Sequence, residues 1–163
     1  MSPEQPLTHL NDAGEARMVD VTAKDVTVRS ATARCTVTVS SEVLGLLRDG
    51  DLPKGDALAV ARIAAIQATK RTPDLIPLCH PIAVHGVDVD VRAESSPAPA
   101  VVIAVTVRTA DRTGVEMEAL TAAAVGGLTV IDMVKGRDRS AAITEVVLLE
   151  KRGGRSGTWV REP

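Results

Sequence analysis

Aromatic side chains are nearly missing from this chain. Its 163 residues include no Phe, no Tyr and one Trp, Trp159. An RNA-binding α+β module reads bases by stacking them on sheet aromatics, so that class is disfavoured at once. The core must instead be built from Val, Ala, Leu and Ile. Cysteine is scarce too. Cys35 and Cys79 lie far apart without metal-ligand spacing, and no signal-peptide pattern is visible, so both read as reduced thiols. No apolar run approaches the roughly 18 residues of a membrane span. A cytoplasmic protein without a membrane role is the expectation. Excess charge is also lacking: a formal net charge of −2 argues against bulk electrostatic association with nucleic acid or an acidic membrane.

What is present fits one globular domain. Hydrophobic residues make up 45% and charged residues 25%. The cations gather locally in Lys70-Arg71, Arg137-Asp138-Arg139 and "KRGGR", Lys151 to Arg155, which suits a small multi-anionic ligand. Residues 1–17 are polar and read as a flexible arm, 18–150 as a single catalytic domain, and 151–163 as a basic Gly-rich tail. Ala31 to Val39 alternates as a half-buried strand. Ser40 or Ser41 caps a short helix that stops at Gly50. A second helix runs from Ala57 to Lys70 and ends at Thr72-Pro73. Strands follow around Val87–Arg92 and Ala100–Arg108, the latter central because both its faces are apolar. A helix covers about Val115–Lys135, and a strand Ala142–Glu150. The order predicts an α+β fold of the ferredoxin-like βαββαβ type, a four-stranded antiparallel sheet with helices on one face. Val and Ala on both sheet faces suggest that a second subunit covers the other side.

The chemistry-bearing residues are few. His80 stands between Cys79 and Pro81, and an imidazole there suits acid/base work, although from position alone a loop histidine held by hydrogen bonds is the plainer reading. Cys79 reads as a small apolar residue rather than a nucleophile. His85 and His9 look ordinary. "PKGD", Pro53 to Asp56, offers Lys54 and backbone N–H groups at a helix start, where a phosphate could bind; the plain alternative is a turn with a solvated lysine. Glu116 and Glu118 flank Met117 at the start of the long helix. They complement its dipole, and they could also accept from the paired N–H donors of a purine or pterin edge. Asp132 and Lys135 share a face near its end, either as a surface pair or as a proton-transfer pair. The tail could fold over a triphosphate or stay solvated.

Glu118 and Asp132 sit about 21 Å apart at ~1.5 Å per residue. One compact pocket can hardly touch both ends of that helix, so either the ligand is long or neighbouring chains contribute opposite ends, the second being the expectation. On that expectation, inactive Lys54 and Asp132 variants would complement one another when mixed. A ligand-sensing oligomer without catalysis is the rival class, but it has little use for Asp132, Lys135, His80 and Lys54 together.

Read together, "LTHLNDAGEARMVDV", "KGD", "ARIAAIQATKRTPDLIPLCHP", "TGVEMEALTAA", "DMVK" and "GGRSG" resemble the cyclic pyranopterin monophosphate synthases of molybdenum-cofactor biosynthesis, the accessory-C family. The resemblance spans about Leu7 to Trp159. It implies a lyase that converts 3′,8-cyclo-7,8-dihydro-GTP to cyclic pyranopterin monophosphate and pyrophosphate. It also implies a hexamer, a trimer of dimers, with the active site at the dimer interface. Asp132, Lys135, Lys54 and His80 match catalytic residues of the family. Leu78, Cys79, His80, Glu116, Met117 and Glu118 match or adjoin substrate-binding segments. Arg29, Lys70, Lys151 and Arg155 are expected near the substrate, Arg29 by a looser match. No cofactor or resident metal is required, and Mg²⁺ can accompany the triphosphate. The chain departs from the family pattern at Gly126-Gly127, where each mid-helix glycine should cost about 1 kcal/mol relative to Ala.

Overall fold

The computed structural model describes residues 10–11 and 13–162, so His9 and most of the N-terminal arm lie outside the described residues. Strand β1 spans Thr27–Thr38 and buries Ala31, Ala33, Cys35 and Val37, the alternation expected of a half-buried strand. It starts four residues earlier than the sequence pattern indicates, which places Arg29 within the sheet. Helix α1, Ser41–Asp49, opens where the Ser40 hydroxyl accepts from the Val43 N–H at 3.2 Å and closes at Gly50, whose φ is 77°. Asp56 caps α2, Ala57–Thr69, by accepting from the Ala59 N–H at 2.9 Å. Pro73 then begins a one-turn helix, α3, Thr72–Leu75, because proline's missing N–H is harmless in a first turn. Strand β2 is Gly86–Glu94, β3 Ala100–Asp111, α4 Glu116–Val134 and β4 Ala142–Arg152.

These form one antiparallel sheet in the order β2-β3-β1-β4-β5, where β5 is Trp159–Val160. The fifth strand corrects the expectation of four. Gly153, Gly154 and Gly157 all adopt positive φ, so the chain reverses after β4 and brings Trp159 opposite Lys151. The Gly-rich segment is thus the turn of a hairpin. β3 lies between β2 and β1, as its apolar character indicates.

Helices α2 and α4 pack on one face of the sheet, over Val101, Ile103, Val105 and Val107 of β3 and the buried residues of β1. The closeness of α4 explains Gly126-Gly127. A Cβ at Gly127 would stand 2.5 Å from Cys35 Sγ, and one at Gly126 would stand 3.2 Å from Ile103 Cγ2. The glycines sacrifice helix propensity for close approach to the sheet. By length and a mean hydropathy of 1.5, α4 is apolar enough to cross a membrane, contrary to expectation. Nine of its nineteen residues are buried, packed against the sheet and α2.

The opposite sheet face mixes polar residues with apolar ones, Val102 and Ala104 among the latter. Thr32, Arg34, Thr36, Asp88, Asp90 and Arg92 stand there, with Arg34 paired to Glu145 at 2.7 Å. Exposed apolar surface lies also on the outer side of α2, where Val60 and Ile63 are 44% and 57% exposed.

Candidate active site

Three groups of side chains surround α4 and the start of β1. At the C-terminal end of α4, Lys54 reaches in from the turn before α2. Its Nζ donates to the Asp132 carbonyl at 2.7 Å and faces Asp132 Oδ2 at 3.4 Å. Lys135 Nζ meets Asp132 Oδ1 at 2.7 Å. A carboxylate near a helix C-terminus is disfavoured by the dipole. Here the Lys135 hydrogen bond and charge, then those of Lys54, more than offset this and hold the Asp132 carboxyl below its ordinary range. The side chains are 47%, 58% and 61% exposed for Lys54, Asp132 and Lys135. The cluster is therefore open to solvent.

The N-terminal end of α4 is more enclosed. Leu78, Cys79, His80, Glu116 and Met117 line a cavity of about 440 Å³. Val19, Val21, Lys24, Thr113 and Gly114 complete it. His80 Nε2 lies 2.7 Å from the Val19 carbonyl. That oxygen can only accept, so Nε2 carries the hydrogen and Nδ1 is left to accept or take up a proton. Glu118 does not line the cavity. It is 1% exposed and lies behind Cys79, whose Sγ donates to Oε1 at 3.4 Å, while Oε2 has no partner among the described residues. Burial raises the Glu118 carboxyl pKa. Burial and the Glu118 charge push the Cys79 thiol up to about 12, which removes it as a nucleophile.

Beside this cavity, and sharing Lys24 with it, is a cationic hollow of about 420 Å³. Ala23, Lys24, Asp25, Thr27, Arg29, Gly154 and Arg155 line it. Arg29 Nε donates to the Asp111 carbonyl at 3.0 Å. Two expected ligand residues stand apart from these cavities. Lys70 is an exposed C-cap of α2, and Lys151 sits on β4 bonded to the Ser156 hydroxyl. Sequence reasoning missed Lys24, Val19 and Val21. "MVDVT" alternates apolar and polar residues just before β1, which was the available signal for a segment lying against the domain. Among the described residues no three His, Cys, Asp or Glu side chains group as a metal site.

The arrangement defines a class first: an α+β protein with a carboxylate–lysine cluster at one end of a core helix and, at the other, a cavity that adjoins a cationic hollow. The chain belongs to the MoaC family, whose model matches residues 18–154. It is 57% identical over 155 residues to a cyclic pyranopterin monophosphate synthase of Nocardioides sp., covering 95% of each chain. It is 58% identical over 159 residues to that of Streptomyces coelicolor, covering 98% of this chain and 92% of the relative. The synthase of Thermomicrobium roseum is 55% identical over 156 residues, covering 96% of this chain and 93% of the relative.

Proposed function

We propose that the chain performs the reaction its relatives are named for. It is a cyclic pyranopterin monophosphate synthase, a lyase of molybdenum-cofactor biosynthesis, and it converts 3′,8-cyclo-7,8-dihydro-GTP to cyclic pyranopterin monophosphate and pyrophosphate. The observation that carries the reading at residue level is the Asp132 carboxylate held between two ammonium groups, Lys54 and Lys135. Opening the imidazole part of a reduced purine and closing a pterin onto ribose carbons requires protons to move on and off nitrogen and carbon. A carboxylate with two lysines can shuttle them, with His80 Nδ1 as a further acid/base group. The pterin edge sits by Glu116 and Met117. Attack of a ribose-derived hydroxyl on the α-phosphate expels pyrophosphate, and Lys24, Arg29 and Arg155 stabilise the developing charge. No resident metal is required, and Mg²⁺ enters on the triphosphate.

The working enzyme in this reading is a cytoplasmic hexamer, a trimer of dimers, with 18–150 as the catalytic domain. The four long strands, in the order β2-β3-β1-β4 with α2 and α4 on one face, suit a ferredoxin-like core. The two ends of α4 are joined in one pocket only across subunits. This changes the complementation test. Lys54 and Asp132 touch within one chain, so their variants should not rescue each other. His80→Ala and Asp132→Asn should, because a mixed dimer rebuilds one intact site. Incubation with the cyclised nucleotide should release pyrophosphate from wild type, and the His80/Asp132 mixture should recover part of that rate. Absence of pyrophosphate from wild type overturns the activity; absence of recovery overturns the shared site.

A further inference from the structure

Resting on that reading, we infer that Gly154 is a positioning residue: the turn after β4 is a mould that sets the Arg29 guanidinium into the cationic hollow, where it grips the pyrophosphate end of the ligand. Two observations meet at Arg29. From one side the Asp111 carbonyl accepts from Nε at 3.0 Å, which fixes the plane of the guanidinium. From the other side the backbone of Gly153-Gly154 lies directly against it. A Cβ at Gly154 would collide with Arg29 Nη1 and stand 3.0 Å from Cζ, and a Cβ at Gly153 would collide with the Val28 carbonyl. Both glycines have positive φ, 89° and 72°. Gly157 in the same turn also has positive φ, 64°, yet a Cβ there would meet nothing within 4 Å. Backbone conformation alone accounts for Gly157. At Gly154 the missing side chain is also space that Arg29 occupies.

The consequence is geometric. Nε is committed to Asp111, so the Nη groups are the donors left to a ligand. The hollow they share with Lys24 and Arg155 opens beside the cavity that holds His80 and Glu116. Planar paired donors suit phosphate oxygens only when their direction is fixed. A methyl group at residue 154 would turn the guanidinium off that direction while leaving the charge present.

The test compares Gly154→Ala with Gly157→Ala, which carries the same kind of backbone strain without the collision. Gly154→Ala should raise the KM for the cyclised nucleotide and the inhibition constant for inorganic pyrophosphate together, each by on the order of tenfold. Gly157→Ala should leave both within about twofold. Gly154→Asn, whose residue type tolerates positive φ, should reproduce the effect with less strain on folding. On an Arg29→Ala background, Gly154→Ala should add little, because the group it displaces is already gone. Equal constants for the two alanine variants, or a full tenfold effect persisting without Arg29, would overturn the inference. Calorimetric titration with pyrophosphate ranks the same variants without turnover. A wild type that fails to turn over therefore removes the proposed reaction but leaves this inference to be decided by pyrophosphate affinity.

Discussion

The two ends of α4 carry carboxylates in opposite circumstances. At the C-terminal end Asp132 is exposed and doubly paired; at the N-terminal end Glu118 is sealed in and half-satisfied. An exposed ion pair contributes little to folding, since water screens it and two long side chains must be ordered. A buried carboxyl lacking one partner is a liability to folding. Neither is explained as a stability device, and the difference indicates how each end works. The exposed cluster gains electrostatic strength only when a second surface covers it. The buried one sits behind the ligand cavity and holds the Cys79 segment through a thiol hydrogen bond.

The largest effect should come from breaking the exposed end. Asp132→Asn keeps the shape and removes the charge that holds Lys54 and Lys135. Turnover should fall by about 10²–10⁴, the range for loss of an acid/base group, while the melting temperature stays within the scatter of ordinary surface substitutions. Thermal melts beside steady-state pyrophosphate release check both halves. A large fall in melting temperature with modest loss of rate would make Asp132 a structural residue and remove the contrast between the ends.

The middle of the helix is next. Gly127→Ala gains about 1 kcal/mol of intrinsic helix propensity. It also places a methyl against Cys35 Sγ and Ile143 Cδ1, at 2.5 and 3.2 Å before relaxation. Overpacking of this kind costs about 1–3 kcal/mol, so the variant should be less stable than wild type in urea unfolding. Cys35→Ala should restore part of the loss, because it removes the closest atom. An additive double mutant would place the strain elsewhere.

These same residues show what was legible beforehand. The alternation of β1, a serine cap at Ser40 or Ser41, the stop at Gly50 and the extent of α4 were readable because local chemistry decides them. The cost of Gly126-Gly127 was readable too, but not its reason, which is the closeness of α4 to Ile103 of β3 and to Cys35 of the distant β1. The fifth strand was hidden because two residues have no period to detect. His80, Lys54, Asp132 and Lys135 were identifiable by type and motif. Their division was only half legible. Helix rise separates Glu118 from Asp132, but nothing local says that Lys54 joins Asp132 rather than His80. Lys24 was missed because a lone lysine before a strand looks solvated until two cavities are seen to meet at it.

The smallest effect should appear in the pH dependence of stability, with opposite signs at the two ends. Asp132 has its carboxyl lowered from 3.8, mainly by Lys135. The native state therefore releases that proton more readily than the unfolded chain. The resulting stabilisation is present above 3.8 and is lost as pH falls through the folded value. Exposure keeps it small. Glu118 has its carboxyl raised from 4.5, chiefly by burial. The native state keeps a proton that the unfolded chain has already lost, so stability falls as pH rises from 4.5 to the folded value and then levels off. Glu118→Gln still offers an oxygen to the Cys79 thiol but cannot ionise. Measured from pH 5 to pH 9, its melting temperature should gain on wild type as pH rises, for as long as Glu118 stays protonated in the folded protein. Asp132→Asn should run parallel to wild type over that whole range, because its contribution changes only under more acid conditions. A Glu118→Gln curve that stays parallel to wild type throughout would mean that Glu118 is charged in the folded protein, with a cation reaching Oε2. The supposed liability at the N-terminal end of α4 would then be an ion pair like the one at the other end.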